Sequence, residues 1–371
     1  MKRTARNRLY ALTSACVLSV MATVAWSQRP SITWLGVLDG GWSWADGVSA
    51  DGSVVIGRAD NAAGQIRAFR WANGVMQDLG TLGGGWSVSG GVSADGRVVV
   101  GWAENAAMQG RAFRWANGVI QDLGTLGGGS SYAWDVSADG SVVIGGSQNA
   151  TGQIRAFRWA NGVMQDLGTL GGGSSVADGI SADGRVVVGW ADNAAGQIRA
   201  FRWANGVMQD LGTLGGNFSE ARDVSADGSV VVGRAENAAG RLRAFRWANG
   251  VMQDLGTLGG DWSEAYGVSA DGRVVVGTAT NAANQSRAFR WTQAGGMEDL
   301  NITYASLLTD GWVLLSANAI SPDGRHIVGR GYNAAANRVE AYLLDTVPEP
   351  ASLMALGVGL AGLLGLRRRK P

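Results

Sequence analysis

A period of 44 residues, two tight-turn signals in every period and chain ends that complement each other predict an all-β fold. The form that satisfies all three is a seven-bladed β-propeller of four-stranded 44-residue repeats, flanked by an N-terminal signal peptide and a C-terminal transmembrane helix. The period is set by RAFRWANGVMQDLGTLGG, residues 67–84, which recurs verbatim from Arg155, Arg199 and Arg243, and from Arg111 with Ile120 in place of methionine. Trp71, Trp115, Trp159, Trp203, Trp247 and Trp291 follow one another at that spacing without insertion. Repeats of this size belong to arrays and propellers, whose units bury their faces only against their neighbours. The expected boundaries are 1–27 for the signal peptide, 28–346 for the ring and 347–371 for a sorting or anchor segment.

Each unit supplies four short strands. In GVSADGRVVVG, residues 91–101, Asp95 bonds to its own backbone and Gly96 takes the positive φ of a tight turn. In RAFRW-ANG-VMQD, Asn-Gly between two apolar-rich runs demands a primed turn, whose twist matches that of the flanking strands. Alternation sends Phe69 and Trp71 to one face and Ala68 and Arg70 to the other, whereas Val98, Val99 and Val100 form an unbroken apolar run. Such a run requires cover on both faces. A small sheet covered on both faces needs a like sheet on each side, which is the geometry of blades around an axis. A stacked β-solenoid is the rival, but it repeats in shorter coils and lacks tight hairpins.

The Asp-Gly turn occurs seven times, at Asp51, Asp95, Asp139, Asp183, Asp227, Asp271 and Asp323, and the third-strand motif also seven times, the last as EAYLL, residues 340–344. WLGVLDGG, from Trp34, aligns with DLGTLGG, from Asp78, so the array begins with a fourth strand and ends with a third. Residues 32–38 are therefore expected beside residues 340–344, closing the ring by hydrogen bonds and protecting its edges. One unit departs from the pattern: after Asp299 the chain gains about seven residues, and the stretch 301–317 either forms a pocket or is a drifted loop beside the closing blade.

Composition limits the function classes. Glycine, at 59 residues, has no triplet period, which excludes collagen. Eight of the 31 basic residues and one of the 30 acids, Glu349, lie in the terminal segments, so the body carries about −6 and offers no footprint for nucleic acid. A basic start, an apolar run from Leu9 to Val24 and the small-residue site at Ala25-Trp26-Ser27 read as a secretory signal. The one cysteine, Cys16, lies inside that run, so the mature chain has neither a disulfide nor a thiolate metal site.

At the other end, Pro348-Glu349-Pro350 precedes an apolar run from Ala351 to Leu366 and a basic end, Arg367, Arg368, Arg369 and Lys370. Sixteen residues reach about 24 Å as a helix, a marginal membrane span, and the basic end would stay cytoplasmic. This tripartite tail resembles the PEP-CTERM sorting signal of Gram-negative envelope proteins. The resemblance implies export across the inner membrane, an exosortase-type partner that cleaves near Pro-Glu-Pro, and a cell-surface or matrix destination, with a membrane anchor that is transient or kept. The repeats, through RAFRW, DLGTLGG and VSADGRVVVG, resemble the HAF family of extracellular repeats, although Arg stands where that family has its first His. That family lends no established activity.

No catalytic or cofactor-binding residue emerges, and no metal site. Near-identical blades place the same groups around a circle, whereas catalysis needs different groups at one point. The sole histidine, His326, sits beside Ile327 and Val328 without further ligands. Asp78, Asp122, Asp166, Asp210, Asp254 and Asp299 are expected to pair across the hairpin with arginines of RAFRW rather than to bind calcium. The stretch after each Gly-Gly varies most, reads as a loop, and carries Trp42, Trp86, Phe218 and Trp262 at one equivalent position, with Ser130 and Ser174 in two other units. These rings either stack on sugars or plug gaps between blades. The function expected is an exported, non-catalytic surface or matrix protein that binds polysaccharide or another envelope protein. The alternative is an extracellular propeller enzyme acting on polysaccharide, which would need an asymmetric cluster of carboxylates.

Overall fold

The computed structural model describes residues 29–309 and 311–346, and the expected signal peptide and C-terminal helix lie outside the described residues. The described chain forms seven four-stranded antiparallel sheets. The first complete blade runs in chain order through β2 (Asp39–Val48), β3 (Val54–Asn61), β4 (Ile66–Ala72) and β5 (Val75–Asp78). Five blades repeat it over residues 83–122, 127–166, 171–210, 215–254 and 259–299. The first strand of each blade is innermost: β2 packs against both residues 83–92 and residues 313–320.

The seventh blade combines Val313–Ile320, His326–Asn333 and Arg338–Asp345 with β1 (Ser31–Trp34) from the other end of the chain. β1 pairs with the last strand in the register Ser31↔Asp345 to Trp34↔Tyr342, and the Leu35 amide donates to the Ala341 carbonyl at 2.9 Å. The expected closure is present, but the pairing ends at residue 35 rather than 38. Gly36, at φ 81°, turns the chain toward β2.

Both turns use the expected chemistry. The Ser49 hydroxyl accepts from Val54 N at 3.0 Å and donates to Asp51, whose carboxylate also accepts from Ser53 N. Asn73 and Gly74 have φ of 52° and 79°, positive at both central positions as a primed turn requires. A third turn, unread in the sequence because it lacks a two-residue signature, joins β3 to β4. There Asn61 Oδ1 accepts from Ala63 N and Gln65 N, each at 3.0 Å.

Each apolar core straddles two blades. Val54 and Ile56 pack with Val99 and Phe113 of the next blade, while Val55 and Phe69 pack with Val328 and Ala341 of the seventh. Alternate valines of one run thus serve opposite interfaces, which is why the run is continuous. Polar stitches reinforce these cores. Buried Ser131, on the innermost strand of its blade, accepts the Ala112 amide of the preceding blade at 2.9 Å and donates to the Gly124 carbonyl at 2.6 Å. Ser43, Ser87, Ser175, Ser219 and Ser263 accept the corresponding amides, Ser43 doing so from Ala341 across the closure. The Asp-Gly turns are also linked, from the Ala50 amide to the Ala94 carbonyl and onward to the Ala270 amide and the Pro322 carbonyl. Proline has no N–H, so this chain of bonds stops between the seventh blade and the first.

The extra residues after Asp299 form α1 (Leu300–Thr303) and a short 3₁₀ turn, Ala305–Leu307. Leu300 and Tyr304 are buried against Leu314 and Tyr342, so the stretch packs the closing interface. His326 takes the place of the valine that begins the second strand elsewhere and lies against Gly52 of the first blade.

Replacing Ser131 by alanine orphans a buried amide and a carbonyl, each worth about 1–3 kcal/mol. We expect a matching fall in unfolding free energy by denaturant titration with the secondary structure intact. A change below about 0.5 kcal/mol, typical of surface substitutions, would show that the serine stitches do not hold the blades together.

Candidate functional site

The innermost strand of every blade carries a β-bulge. In the first blade Ala45 pairs with Gly57 and Gly47 with Ile56, which leaves Asp46 unpaired between them. The same irregularity falls between Ser89 and Gly91, Ala133 and Asp135, Ala177 and Gly179, Ala221 and Asp223, Ala265 and Gly267, and Ala317 and Ala319. A bulge bends the strand and re-aims one side chain. Gly57 makes room for it, since a Cβ there would collide with the Trp44 carbonyl and the Phe69 ring. The bulged residues are Asp46, Gly90, Trp134, Asp178, Arg222, Tyr266 and Asn318. Repeats that are nearly identical elsewhere therefore carry six residue types at seven equivalent axial positions, aspartate alone occurring twice.

Three cavities open there, one of about 160 Å³ and two larger. The largest, of about 360 Å³, is lined by Trp44, Asp46, Trp134, Asp178, Tyr266 and Arg330 among others; the second, of about 340 Å³, shares Trp134, Asp178 and Arg222 with it and adds Tyr132, Val176 and Trp190. Together these two form a cleft across the axis. On one wall Arg222 Nε donates to Glu264 at 2.9 Å and its Nη2 to Glu220 at 3.0 Å, while Arg234 donates to Glu220 at 2.7 Å and to Glu264 at 3.3 Å. On the other, Arg58 and Arg330 lie 4.8 and 4.1 Å from the centre of the Trp44 ring. Four buried polar atoms of the cleft have no hydrogen-bond partner: Asp46 Oδ2, Arg58 Nε, Asp178 Oδ2 and Ser316 Oγ.

Loss of hydration governs the carboxylates. The side chains of Asp46 and Asp178 are only 16% and 14% exposed. Burial pushes Asp46 up to about 6 against the pull of Arg58 and Arg330, and Asp178 up to about 7 against that of Arg222. Below them, Asp135 accepts from Val136 N and from Ile180 N of the next blade, and Asp223 likewise from Val224 N and Val268 N. Burial, with the nearby charge of Asp223, raises Asp135 to about 8, and burial raises Asp223 to about 6. No group of three or more potential metal ligands occurs among the described residues.

Trp42, Trp86, Phe218 and Trp262 lie on the innermost strands, not on loops. The variable stretch is strand because residues 39, 83, 215 and 259 already pair with the second strands. None of the four rings lines the cavities. Trp42 contacts Trp44 at 5.3 Å between ring centres, and Phe218 lies under Arg234 at 5.4 Å. Trp86 is the most exposed, at 41%. The repeat aspartates pair with arginine in the first and fifth blades, Arg67 with Asp78 at 3.0 Å and Arg243 with Asp254 at 4.0 Å. Their common task is different: Asp78, Asp122, Asp166, Asp210 and Asp254 each accept the amide two residues on, at 2.8 Å, and shape the link to the next blade. Sequence reasoning missed the axial residues although the signal was present. Aligning the units shows positions 44, 46 and 58 changing along with others such as 42, but only the paired strands and the bulge show that these three converge.

A family model matches residues 346–370. The chain carries a PEP-CTERM protein-sorting motif. The motif implies recognition by exosortase-type machinery and delivery to the envelope or surface. Pro348, Glu349, Pro350, Arg367, Arg368 and Arg369 fall inside the match, beyond the described residues. No curated protein sequence matches the chain. Among solved structures it is similar to a puromycin-hydrolyzing peptidase of Mycobacterium tuberculosis, with a TM-score of 0.56 and 14% identity over 82% of this chain and 51% of that one. It is also similar to TolB from Acinetobacter baumannii, with a TM-score of 0.46 and 13% identity over 80% of this chain and 81% of that one. The chain thus spans about half the length of the peptidase, and at such identity the likeness is one of fold alone.

The raised aspartates fix the sign of a pH effect. A carboxyl whose folded pKa lies above its unfolded value stabilises the fold below the unfolded value and loses that contribution as pH rises through the folded one. The ring should therefore melt at a lower temperature as pH is raised from about 4 to about 8, the window set by Asp46, Asp178, Asp223 and Asp135. In Asp135→Asn the upper part of that decline should flatten. Melting curves of both proteins at pH 5 to 9 check this, and parallel pH profiles would contradict the assignment.

Proposed function

We propose that this is an exported, HAF-like repeat propeller of the Gram-negative cell surface or matrix that binds polysaccharide in the axial cleft. The observation that carries the reading is the cleft's lining. Unpartnered donors and acceptors stand beside the aromatic rings of Trp134, Tyr132 and Trp190, at positions where the repeats diverge. A sugar presents apolar ring faces to aromatic side chains, and hydroxyls that both donate and accept. Two cavities joined through Trp134, Asp178 and Arg222 suit a chain rather than a single small molecule, and Trp42, packed against Trp44, would extend the contact, with Trp86, Phe218 and Trp262 as further aromatic contacts on the other innermost strands. In this reading the tail is removed near Pro348-Glu349-Pro350 on the non-cytoplasmic side after an exosortase-type partner engages it.

Titration calorimetry of the full chain against envelope polysaccharides is the test. We expect binding that Trp134→Ala weakens at least tenfold, the effect of losing about 1.4 kcal/mol of ring contact. Binding unchanged in Trp134→Ala would move the site away from the axis. Mass spectrometry of the surface-exposed form should lack the peptide spanning residues 351–366, and its recovery would make the tail a retained anchor.

A second reading, an extracellular enzyme acting on polysaccharide, draws support from Asp46 and Asp178. They share one cavity and sit near 6 and 7, where a carboxyl can give or take a proton at neutral pH. Incubation with the bound polysaccharide separates the two: intact chains favour the binding protein, whereas shortened products that disappear in Asp178→Asn establish the enzyme.

A further inference from the structure

The charges of the cleft are unevenly shared between its walls. Around Arg222 and Arg234 stand three carboxylates, Asp178, Glu220 and Glu264, which leave both guanidinium groups occupied. At the seam between the seventh blade and the first the balance is reversed. Arg58 and Arg330 flank Trp44 with Asp46 as the nearby acid, and Arg58 Nε is 3.5 Å from Asp46 Oδ2, too long for a hydrogen bond. Among the described residues, Arg330 has the Trp44 ring as its contact and no carboxylate within salt-bridge distance. Ser316 Oγ, which lines the same cavity, is buried and without a partner. A half-buried guanidinium with free N–H groups, a second with a free Nε and an idle hydroxyl share one carboxylate, Asp46, so the donors outnumber the acids.

We propose that the cleft selects acidic polysaccharide and that the carboxylate of a uronic acid residue is held by Arg330 and Arg58, with Ser316 donating a further hydrogen bond. The planar guanidinium fork matches a carboxylate and rewards it with charge-assisted bonds. A neutral sugar would instead cover Arg330 while leaving its charge unpaired, which is unfavourable. The remaining hydroxyls of the chain meet Asp46 Oδ2 and Asp178 Oδ2, and a sugar ring lies on Trp134. General attraction cannot supply the preference, because the body of the protein is net negative. This inference rests on the cleft being the polysaccharide site proposed above.

The experiment titrates the full chain with a uronic acid oligomer, with a neutral hexose oligomer of equal length and with inorganic phosphate, using the native protein, Arg330→Gln and Arg330→Lys. Circular dichroism shows that each is folded. We expect the native protein to bind the uronate oligomer about tenfold or more tightly than the neutral one, as a charge-assisted pair implies. Arg330→Gln should erase that preference by weakening the uronate oligomer, with the neutral oligomer bound at least as tightly as before, and Arg330→Lys, which retains the charge without the fork, should fall between. Equal affinity of the native protein for both oligomers, or a preference that survives in Arg330→Gln, overturns the inference and leaves the polysaccharide site standing. Displacement of the uronate oligomer by phosphate at equal concentration overturns it too, since a bare anion would then suffice. Failure of both oligomers to bind overturns the cleft reading itself.

Discussion

No blade of this protein can bury its core alone. The two faces of each sheet are covered by different neighbours, as Val54 and Val55 show by entering separate cores one residue apart. A four-stranded sheet of this size exposed on both faces would not stand in water. The ring therefore depends on closure, and the chain secures it by sending β1 from its start to pair with its last strand. Ser43, holding the Ala341 amide, repeats across that junction the stitch that joins consecutive blades. The junction is chemically ordinary in its core and exceptional in its turns, where Pro322 leaves the Ala50 carbonyl without the amide that its counterparts receive.

Because stability resides between blades, the axis is free to differ. The residues that must be alike are those that enter the shared cores and stitches, namely the valines, phenylalanines, serines and turn glycines. The bulged position lies mostly outside both: of the seven, Trp134 packs against the core between the third and fourth blades, and Asn318 Nδ2 donates to the Ala45 carbonyl across the closure at 2.8 Å. The position points into the channel, where Asp, Gly, Trp, Asp, Arg, Tyr and Asn follow one another around the ring. A symmetric scaffold thereby acquires an asymmetric site without altering its frame. The same low-hydration channel explains its electrostatics. Asp135 and Asp223 keep two backbone amides each and are nevertheless raised, because burial outweighs those bonds.

The asymmetry bears on the choice between scaffold and enzyme. Near-identical blades repeat the same groups around a circle, which disfavours catalysis. That ground does not hold at the axis, where carboxylates, guanidinium groups and rings from different blades face one cleft. The arrangement is nonetheless dominated by ion pairs already formed, Arg222 and Arg234 with Glu220 and Glu264. Groups so engaged hold a shape and a potential more readily than they transfer protons, which is why binding is the leading reading.

What the sequence determined by itself was everything that repeats. Fixed spacing, Asn-Gly and Asp-Gly turns and complementary ends give blade number, strand order and closure, because turn chemistry and face alternation are local and act alike in every unit. The unbroken valine run even disclosed that each sheet is covered on both sides. The site was the opposite case. Residues 44 and 46 vary visibly from unit to unit, yet their stretch resembles a loop, and divergence alone does not distinguish a tolerant surface from a lining. Only the tertiary structure decided that it is an innermost strand with one unpaired residue, since a bulge is a property of two strands in register. Ring closure then brings Arg330 and Trp44, 286 residues apart in the chain, to 4.1 Å.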